Sequence, residues 1–258
     1  MNTQPSIVFI GAGRLATNLS VALQSVGCDV KQVYSRTEAS ARELAERLHC
    51  DWTCSAETII TDAQYYIYAL TDTALPCLAA ATIGGSDAIH LHTAGSMDKA
   101  VFANKQRFGV LYPFQSFSKE QLVDFTHIPI LIEGSDESVT KDVADLAKRL
   151  SDRVYVADLG HRQRLHLAGV LANNFTNCLY ALAQEQLQKA ELPFDILLPL
   201  IEQTAQRVKT IDPRKAQTGP AVRHDKNVMN KHLGLLSDDK DLQTLYKIFS
   251  QNIIDHEK

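Results

Sequence analysis

Apolar residues recur along this chain in two rhythms, and the change between them divides it. Over the first 155 or so residues, short apolar runs alternate with stretches of helical spacing. Ser6-Ile7-Val8-Phe9-Ile10 reads as a buried strand, residues 17–26 as an amphipathic helix and residues 29–34 as a second strand. Residues 38–48 place Ala41, Leu44, Ala45 and Leu48 on one helical face. A short helix capped by Ser55 is expected over 55–61, a strand over 65–70, and a helix from Thr71 or Asp72 to about Ile83. Further strands are expected at 88–92, 108–112, 128–133 and 153–157, with a helix over 138–150. Strands separated by helical patterns predict a parallel, doubly wound α/β sheet.

After Gly160 the rhythm becomes helical throughout. His161-Arg162-Gln163-Arg164 leads into a nearly unbroken helical pattern to about Ala190. Others run from Pro193 to about Thr210, over 225–233 and over 239–254. No strand pattern follows residue 157, so a sheet domain over 1–157 and an all-helical domain over 158–258 are expected.

The first strand meets the first helix at Gly11-Ala12-Gly13-Arg14-Leu15-Ala16. Glycines at the first and third positions let the backbone turn sharply and approach a pyrophosphate, which the free N–H groups of a helix start attract. Gly11 makes the turn, Gly13 permits the approach, and Ala16 keeps helix and strand close. Ala12, Arg14 and Leu15 complete the stretch expected to hold a cofactor. The tip of the second strand carries Ser35-Arg36-Thr37, where NAD sites usually place an acid on the ribose 2′-OH. Arg36 would instead fork onto a 2′-phosphate, with the Ser35 and Thr37 hydroxyls beside it, so NADP(H) is expected. The plainer alternative makes Arg36 the solvated flank of the next helix.

In open α/β sheets, ligands bind at strand carboxyl ends. Three such ends are polar: Leu70-Thr71-Asp72, His92-Thr93-Ala94-Gly95-Ser96 and Tyr112-Pro113-Phe114-Gln115-Ser116. Leu70, Thr71, Asp72 and Thr93 are assigned to the cofactor, and Ser96 and Tyr112 to the substrate. Ordinary turn capping would explain the same residues. A cis bond at Pro113 would fix Tyr112 and Phe114 in place. On the long helix, His166, Gly169, Asn173, Asn177 and Tyr180 share one face. Buried amides need partners, so this face meets either other helices or a ligand cleft. Beyond Thr218-Gly219-Pro220, Arg223 suits a carboxylate clamp, and His224 or His232 could exchange protons. Capping between Arg223 and Asp225 is the simpler alternative.

Composition narrows the partners. A net charge of −4 with no basic cluster gives no nucleic-acid footprint. No apolar run reaches the roughly 18 residues of a membrane span, and the first strand starts too early for a signal peptide. A cytoplasmic protein with a small-molecule substrate, and no nucleic-acid or membrane partner, is expected. Cysteines stand at positions 28, 50, 54, 77 and 178. They fit free thiols, and Cys50 and Cys54 lack the second ligand pair that a zinc site needs.

With these residues in view, the chain resembles the NADP oxidoreductases that join a Rossmann-like N-terminal domain to a helical C-terminal domain of formally unknown function. The resemblance is carried by Ile10-Gly-Ala-Gly-Arg-Leu15, His92-Thr-Ala-Gly-Ser96, Tyr112-Pro-Phe-Gln-Ser116, Asn173-Asn174, and Thr218-Gly-Pro220 with Arg223. More distantly, the layout is similar to pyrroline-5-carboxylate reductase, ketopantoate reductase and the 6-phosphogluconate-dehydrogenase-like β-hydroxyacid dehydrogenases. The resemblance implies a Rossmann-type, mostly parallel sheet, and NADPH-dependent reduction of a small carbonyl or imine such as a 2-keto acid (ketopantoate). The β-hydroxyacid dehydrogenases place a Lys four residues before an Asn. Four before Asn173 stands Gly169, and four before Asn174 stands Val170, so that Lys is missing. His166 is then the expected general acid, with Tyr112 beside it; Asn173 and Ser96 orient the substrate and Arg223 holds a carboxylate. The missing Lys leaves open a non-catalytic NADP(H)-binding sensor or interaction protein, and a deazaflavin partner is a third reading. The apolar stretch 165–182 suits a core or a seam between copies, and a homodimer is expected.

Overall fold

In the computed structural model, which describes residues 4–81 and 83–256, apolar alternation builds one eight-stranded sheet. The reading of the first three positions lies outside the described residues. The strands are β1 (Ser6–Ile10), β2 (Asp29–Tyr34), β3 (Asp51–Thr53), β4 (Tyr65–Tyr68), β5 (Ile89–His92), β6 (Arg107–Pro113), β7 (Ile130–Gly134) and β8 (Val154–Val156). Their order is β3-β2-β1-β4-β5-β6-β7-β8. Neighbours are parallel except β6 and β7, which run antiparallel. The reversal has a simple cause. Parallel neighbours need a crossover, usually a helix, and residues 114–129 form none.

Each strand sends alternate side chains to opposite faces. Ile7, Phe9, Ile67, Leu91 and Ile130 meet one core, covered by α1 (Arg14–Ser25), α2 (Glu38–Leu48) and α4 (Glu137–Lys148). Val8, Ile10, Tyr66 and Tyr68 meet the other, under α3 (Leu75–Ala80) and Phe102. Val110, Tyr112 and Leu131 continue that second face, with Leu165 of α5 (Leu159–Gly169) packed on them. The sheet is therefore doubly wound. Helix α3 starts three or four residues later than expected, because residues 71–74 form a turn in which Ala74 and Leu75 both donate to the Thr71 carbonyl. The expected helix over 55–61 shrinks to a single 3-10 turn, Ala56–Thr58. Pro113 is trans, as are all described peptide bonds.

The long helical pattern is one run with a change of winding: α5, a π-helical segment Val170–Phe175, then α6 (Thr176–Lys189). Helices α7 (Leu198–Arg207), α8 (Lys226–Leu235) and α9 (Lys240–Asp255) follow, and no strand follows β8 among the described residues. Asp225 and Asp239 cap α8 and α9 by accepting from Val228 N and Leu242 N. The chain divides into two compact units, one ending at Val170 and one starting at Leu171. The boundary expected between 157 and 158 marks the end of the strands. The first unit continues past it because α5 is bound to the sheet by Leu165 and by the fully buried Arg162.

Candidate functional site

The carboxyl ends of five parallel strands, β2, β1, β4, β5 and β6, come to one edge of the sheet. At the end of β1, Gly11 takes φ +114°, and a Cβ there would lie 2.3 Å from the Ala69 carbonyl oxygen. Only glycine fits. Gly13 faces open space where a Cβ would stand. Helix α1 starts without a side-chain cap and without an acid in its first turn, so its leading N–H groups are left for an anion. Arg14 is exposed, Leu15 half-buried, and Ala12 and Ala16 buried. This is a cradle that fits a dinucleotide pyrophosphate, with no side chain in the way.

The end of β2 is locked beside it by the Gly11 N–H, which donates to the Tyr34 carbonyl at 2.8 Å. Arg36 is exposed, and Thr37 occupies the N-cap position of α2 without a capping bond from its hydroxyl. Ser35 donates its backbone N–H to Thr53. The three residues expected to read the ribose therefore sit one strand from the turn.

The other strand ends form a contiguous polar row. The Ser96 hydroxyl donates to the Asp72 carboxylate. Gly95 lies against the Tyr112 ring, where a Cβ would come within 2.6 Å of Cζ. Tyr112 Oη is 3.2 Å from His166 Nδ1. Burial pushes the Tyr112 phenol up from its ordinary range. Leu70 is half-buried and Thr71 exposed on the turn before α3. Thr93 departs from its expected role, for it is buried and its hydroxyl donates to the Tyr68 carbonyl at 3.3 Å. Asn173, in the π-helical segment, and Arg223, before α8, are both exposed and belong to the second unit.

Sequence reasoning missed the groups beneath this row. Arg162 is fully buried and donates to the Glu133 carboxylate and, at 3.0 Å each, to the Ala157 and Met97 carbonyls. Lys99 Nζ binds the other Glu133 oxygen at 3.0 Å. His92 is also fully buried. Its Nδ1 accepts the Ala94 N–H at 3.2 Å. Burial, with the Arg162 charge second, lowers its pKa to about 4, so the ring is neutral with its proton on Nε2. Arg162 stands in a run, His161 to Arg164, that reads as a solvated helix face. For His92 the signal was there, since it alternates with Leu91 on a buried strand.

A phosphate-ready turn at the end of the first strand of a doubly wound sheet is the arrangement of a dinucleotide-binding protein. Residues 6–89 match the family model described as NADP oxidoreductase, coenzyme F420-dependent. Residues 128–253 match a domain of unknown function (DUF2520). A Bacteroides fragilis protein of solved structure, classed as an NADP oxidoreductase, is 45% identical over 98% of both chains, with a TM-score of 0.92. The chain belongs to this family of NADP oxidoreductases. Two more distant structures share the fold. The 1-pyrroline-5-carboxylate reductase of Streptococcus pyogenes is 13% identical over 98% of both chains, with a TM-score of 0.65. An imine reductase from Myxococcus stipitatus, solved with NADP+, is 14% identical over 97% of this chain and 92% of its own, with a TM-score of 0.61. No curated protein matches this chain. Among the described residues, no helix is long and apolar enough to cross a membrane.

Proposed function

We propose that this chain is an NADPH-dependent reductase of a small carbonyl or imine compound, with a 2-keto acid such as ketopantoate as the substrate class. The observation that carries the reading is the Tyr112–His166 pair at the carboxyl end of β6. It stands on the same sheet edge as the Gly11 turn, three strand spacings away, about 14 Å. A bound nicotinamide would supply the hydride to the substrate carbon. The chain's own residues would supply the proton that the oxygen or nitrogen then takes up. In the charged imidazole, Nδ1–H donates to Tyr112 Oη, which fixes the ring and leaves Nε2–H for the substrate. Ser96, held by Asp72, orients the substrate beside it. Preference for NADPH rests on Ser35, Arg36 and Thr37 at the end of β2. Asn173 and Arg223, on the second unit, are the sequence's candidates for orienting the substrate and holding its carboxylate.

One observation favours a second reading. Gly169 stands where the β-hydroxyacid dehydrogenases would have a Lys, and a Cβ there would lie 2.8 Å from the Phe114 ring. A larger residue there would have to push the Phe114 ring aside, and the glycine itself brings no amine to this position. A protein that binds NADP(H) without turning it over is consistent with that. The family model that names coenzyme F420 covers residues 6–89, which is the dinucleotide turn and the strands beside it. The deciding experiment follows NADPH absorbance while a panel of 2-keto acids and cyclic imines is added. Oxidation that needs one panel member, and is lost in His166→Ala, supports the reductase. Saturable NADPH binding with no oxidation by any member supports the sensor.

A further inference from the structure

Residues 114–129 form no helix between β6 and β7, yet their course is fixed at several points. The segment leaves the candidate site at Phe114. The Phe114 ring meets the Tyr112 ring edge-on at 6.1 Å, and a Cβ on Gly169 would come within 2.8 Å of it. Three residues on, Phe117 packs into the core on the other face of the sheet and stacks on Phe125 at 5.8 Å. The segment therefore passes from one face to the other at the carboxyl end of β6.

It is then fastened to α1, the helix that starts at the Gly11 turn. Asn18 lies in the second turn of α1 and is 2% exposed. Its Nδ2 donates to the Ser118 carbonyl at 2.6 Å and to the Arg14 carbonyl at 2.9 Å. Its Oδ1 accepts the Val123 N–H at 3.0 Å. One amide thus closes residues 118–123 into a loop and holds both ends of it. Asn is a poor helix former, and a buried amide is costly unless its bonds are made. Here all of them are. The tip of the loop lies beside the dinucleotide turn. Glu120 is exposed, and its carboxyl is held below the ordinary range, chiefly by its own backbone N–H, with the Arg14 charge a lesser cause. Lys119 reaches Glu43 of α2 at 2.8 Å, a largely exposed contact that adds little.

We propose that Asn18 is a positioning residue for the Tyr112–His166 pair: it fastens the segment that begins at Phe114 to the helix that seats the dinucleotide. The proposal rests on the reductase reading, in which that pair delivers the proton. β1 and β6 stand three places apart in the sheet, and this segment joins their ends outside it. Phe114 passes the constraint on, because it touches Tyr112 on one side and Gly169, one helical turn beyond His166, on the other. Reduction needs the cofactor seat and the proton donor at a fixed separation, and a shift of about 1 Å costs on the order of 100-fold in rate.

The test reads the NMR signals of the His166 ring in the full chain without cofactor or substrate. Asn18→Leu roughly keeps the side-chain volume and removes all three bonds. The His166 ring signals should move, while those of His161, in the first turn of α5, stay in place. The Val123 amide should exchange about fivefold faster or more. Asn18→Asp keeps the acceptor for Val123 and loses both donated bonds. It serves where the Leu variant does not fold, and should move His166 in the same direction. Once a substrate is in hand, turnover in the Asp variant should fall at least about tenfold with NADPH affinity within about twofold. Unmoved His166 signals in a folded variant overturn the proposal. Equal movement of His161 overturns the route through Phe114, because α5 then shifts as a whole. Parallel losses of affinity and turnover reduce Asn18 to a support of α1 and overturn it too. A wild-type chain that never oxidises NADPH refutes the reductase reading instead, and the NMR result still decides whether Asn18 sets the pair.

Discussion

Arg162→Met removes one side chain that ties three segments together. Its guanidinium is fully buried and donates to Glu133 on β7, to the Ala157 carbonyl after β8 and to the Met97 carbonyl after β5. Met fills most of the same space, so cavity formation adds little. The loss is electrostatic: the buried Ala157 carbonyl and the part-buried Met97 carbonyl each lose the Arg162 donor, and Glu133 keeps Lys99 at 3.0 Å. Breaking a buried ion pair from one side costs about 3–5 kcal/mol. The upper part of that range requires Glu133 to be dry. It is 18% exposed and retains one cation, so the expected loss is about 3 kcal/mol. Arg162→Lys should recover little of it, because one ammonium cannot span the acceptors that the planar fork reaches. The assay is denaturant unfolding followed by the fluorescence of Trp52, the chain's single tryptophan, which sits on β3 in the same sheet. A shift in midpoint at constant slope reports the change in stability. A loss below about 1 kcal/mol, the range of an exposed pair, would refute the reasoning. So would a Lys variant as stable as wild type.

Arg36→Ala should weaken NADPH at least tenfold and NADH by less than twofold, about the 1.4 kcal/mol of one charged contact. Equal losses in a paired fluorescence titration would return Arg36 to the role of helix flank. His166→Ala should lower turnover about 100-fold or more while leaving NADPH affinity unchanged. Unchanged turnover removes it as the general acid. His90 and His92 are buried with pKa values of about 4, below the ordinary 6.5, so the unfolded chain binds more protons between those values. Stability therefore rises with pH through that window and falls on acidification, by about 2 kcal/mol for each histidine between pH 7 and pH 5. Denaturation midpoints that do not move between those pH values would contradict the burial of both rings. Gly11→Ala should abolish NADPH binding and destabilise the chain by about 2 kcal/mol or more, since φ and the Ala69 carbonyl both reject a Cβ. Binding retained at wild-type affinity would place the cofactor elsewhere.

Much of this was legible where hydrophobic patterning decides structure. β1, β2 and α2 fall on the residues expected, because each is apolar on the required period and flanked by turn residues. β3 was not legible. Asp51, Trp52 and Thr53 are too short a run for alternation to mark a strand, and they pair with the edge that β2 offers. The turn of β7 against β6 follows from a missing helix in the connection, which a list of strands does not express. The π-helical segment is equally silent, since the apolar residues of 165–182 satisfy the spacing for an ordinary helix. Of the site, the Gly11 turn and the strand ends could be read from glycines and polar clusters. The inward turn of the Thr93 hydroxyl and the burial of Arg162 could not. Both depend on which carbonyl lies beneath them in the folded sheet.

The reversal of β7 bears on the chemistry as well as on the topology. Running against β6, β7 brings Glu133 opposite Val110, on the sheet face where α5 packs. Glu133 thereby meets Arg162 in the first turns of α5, one helical turn before His166. The same guanidinium holds the Met97 carbonyl, one residue past Ser96, and Gln163 reaches the Ser96 carbonyl at 3.4 Å. From below, His92 fixes Ala94 in the same loop. One buried charge thus sets two candidate groups at once: the helix that carries the imidazole and the loop that carries the hydroxyl. If so, the two should fail together. In Arg162→Met, at a temperature where the chain stays folded, turnover should fall far more than NADPH affinity, because the Gly11 turn lies on β1, three strands from β6. Parallel losses of affinity and turnover would show that Arg162 supports the sheet as a whole and has no particular hold on the site.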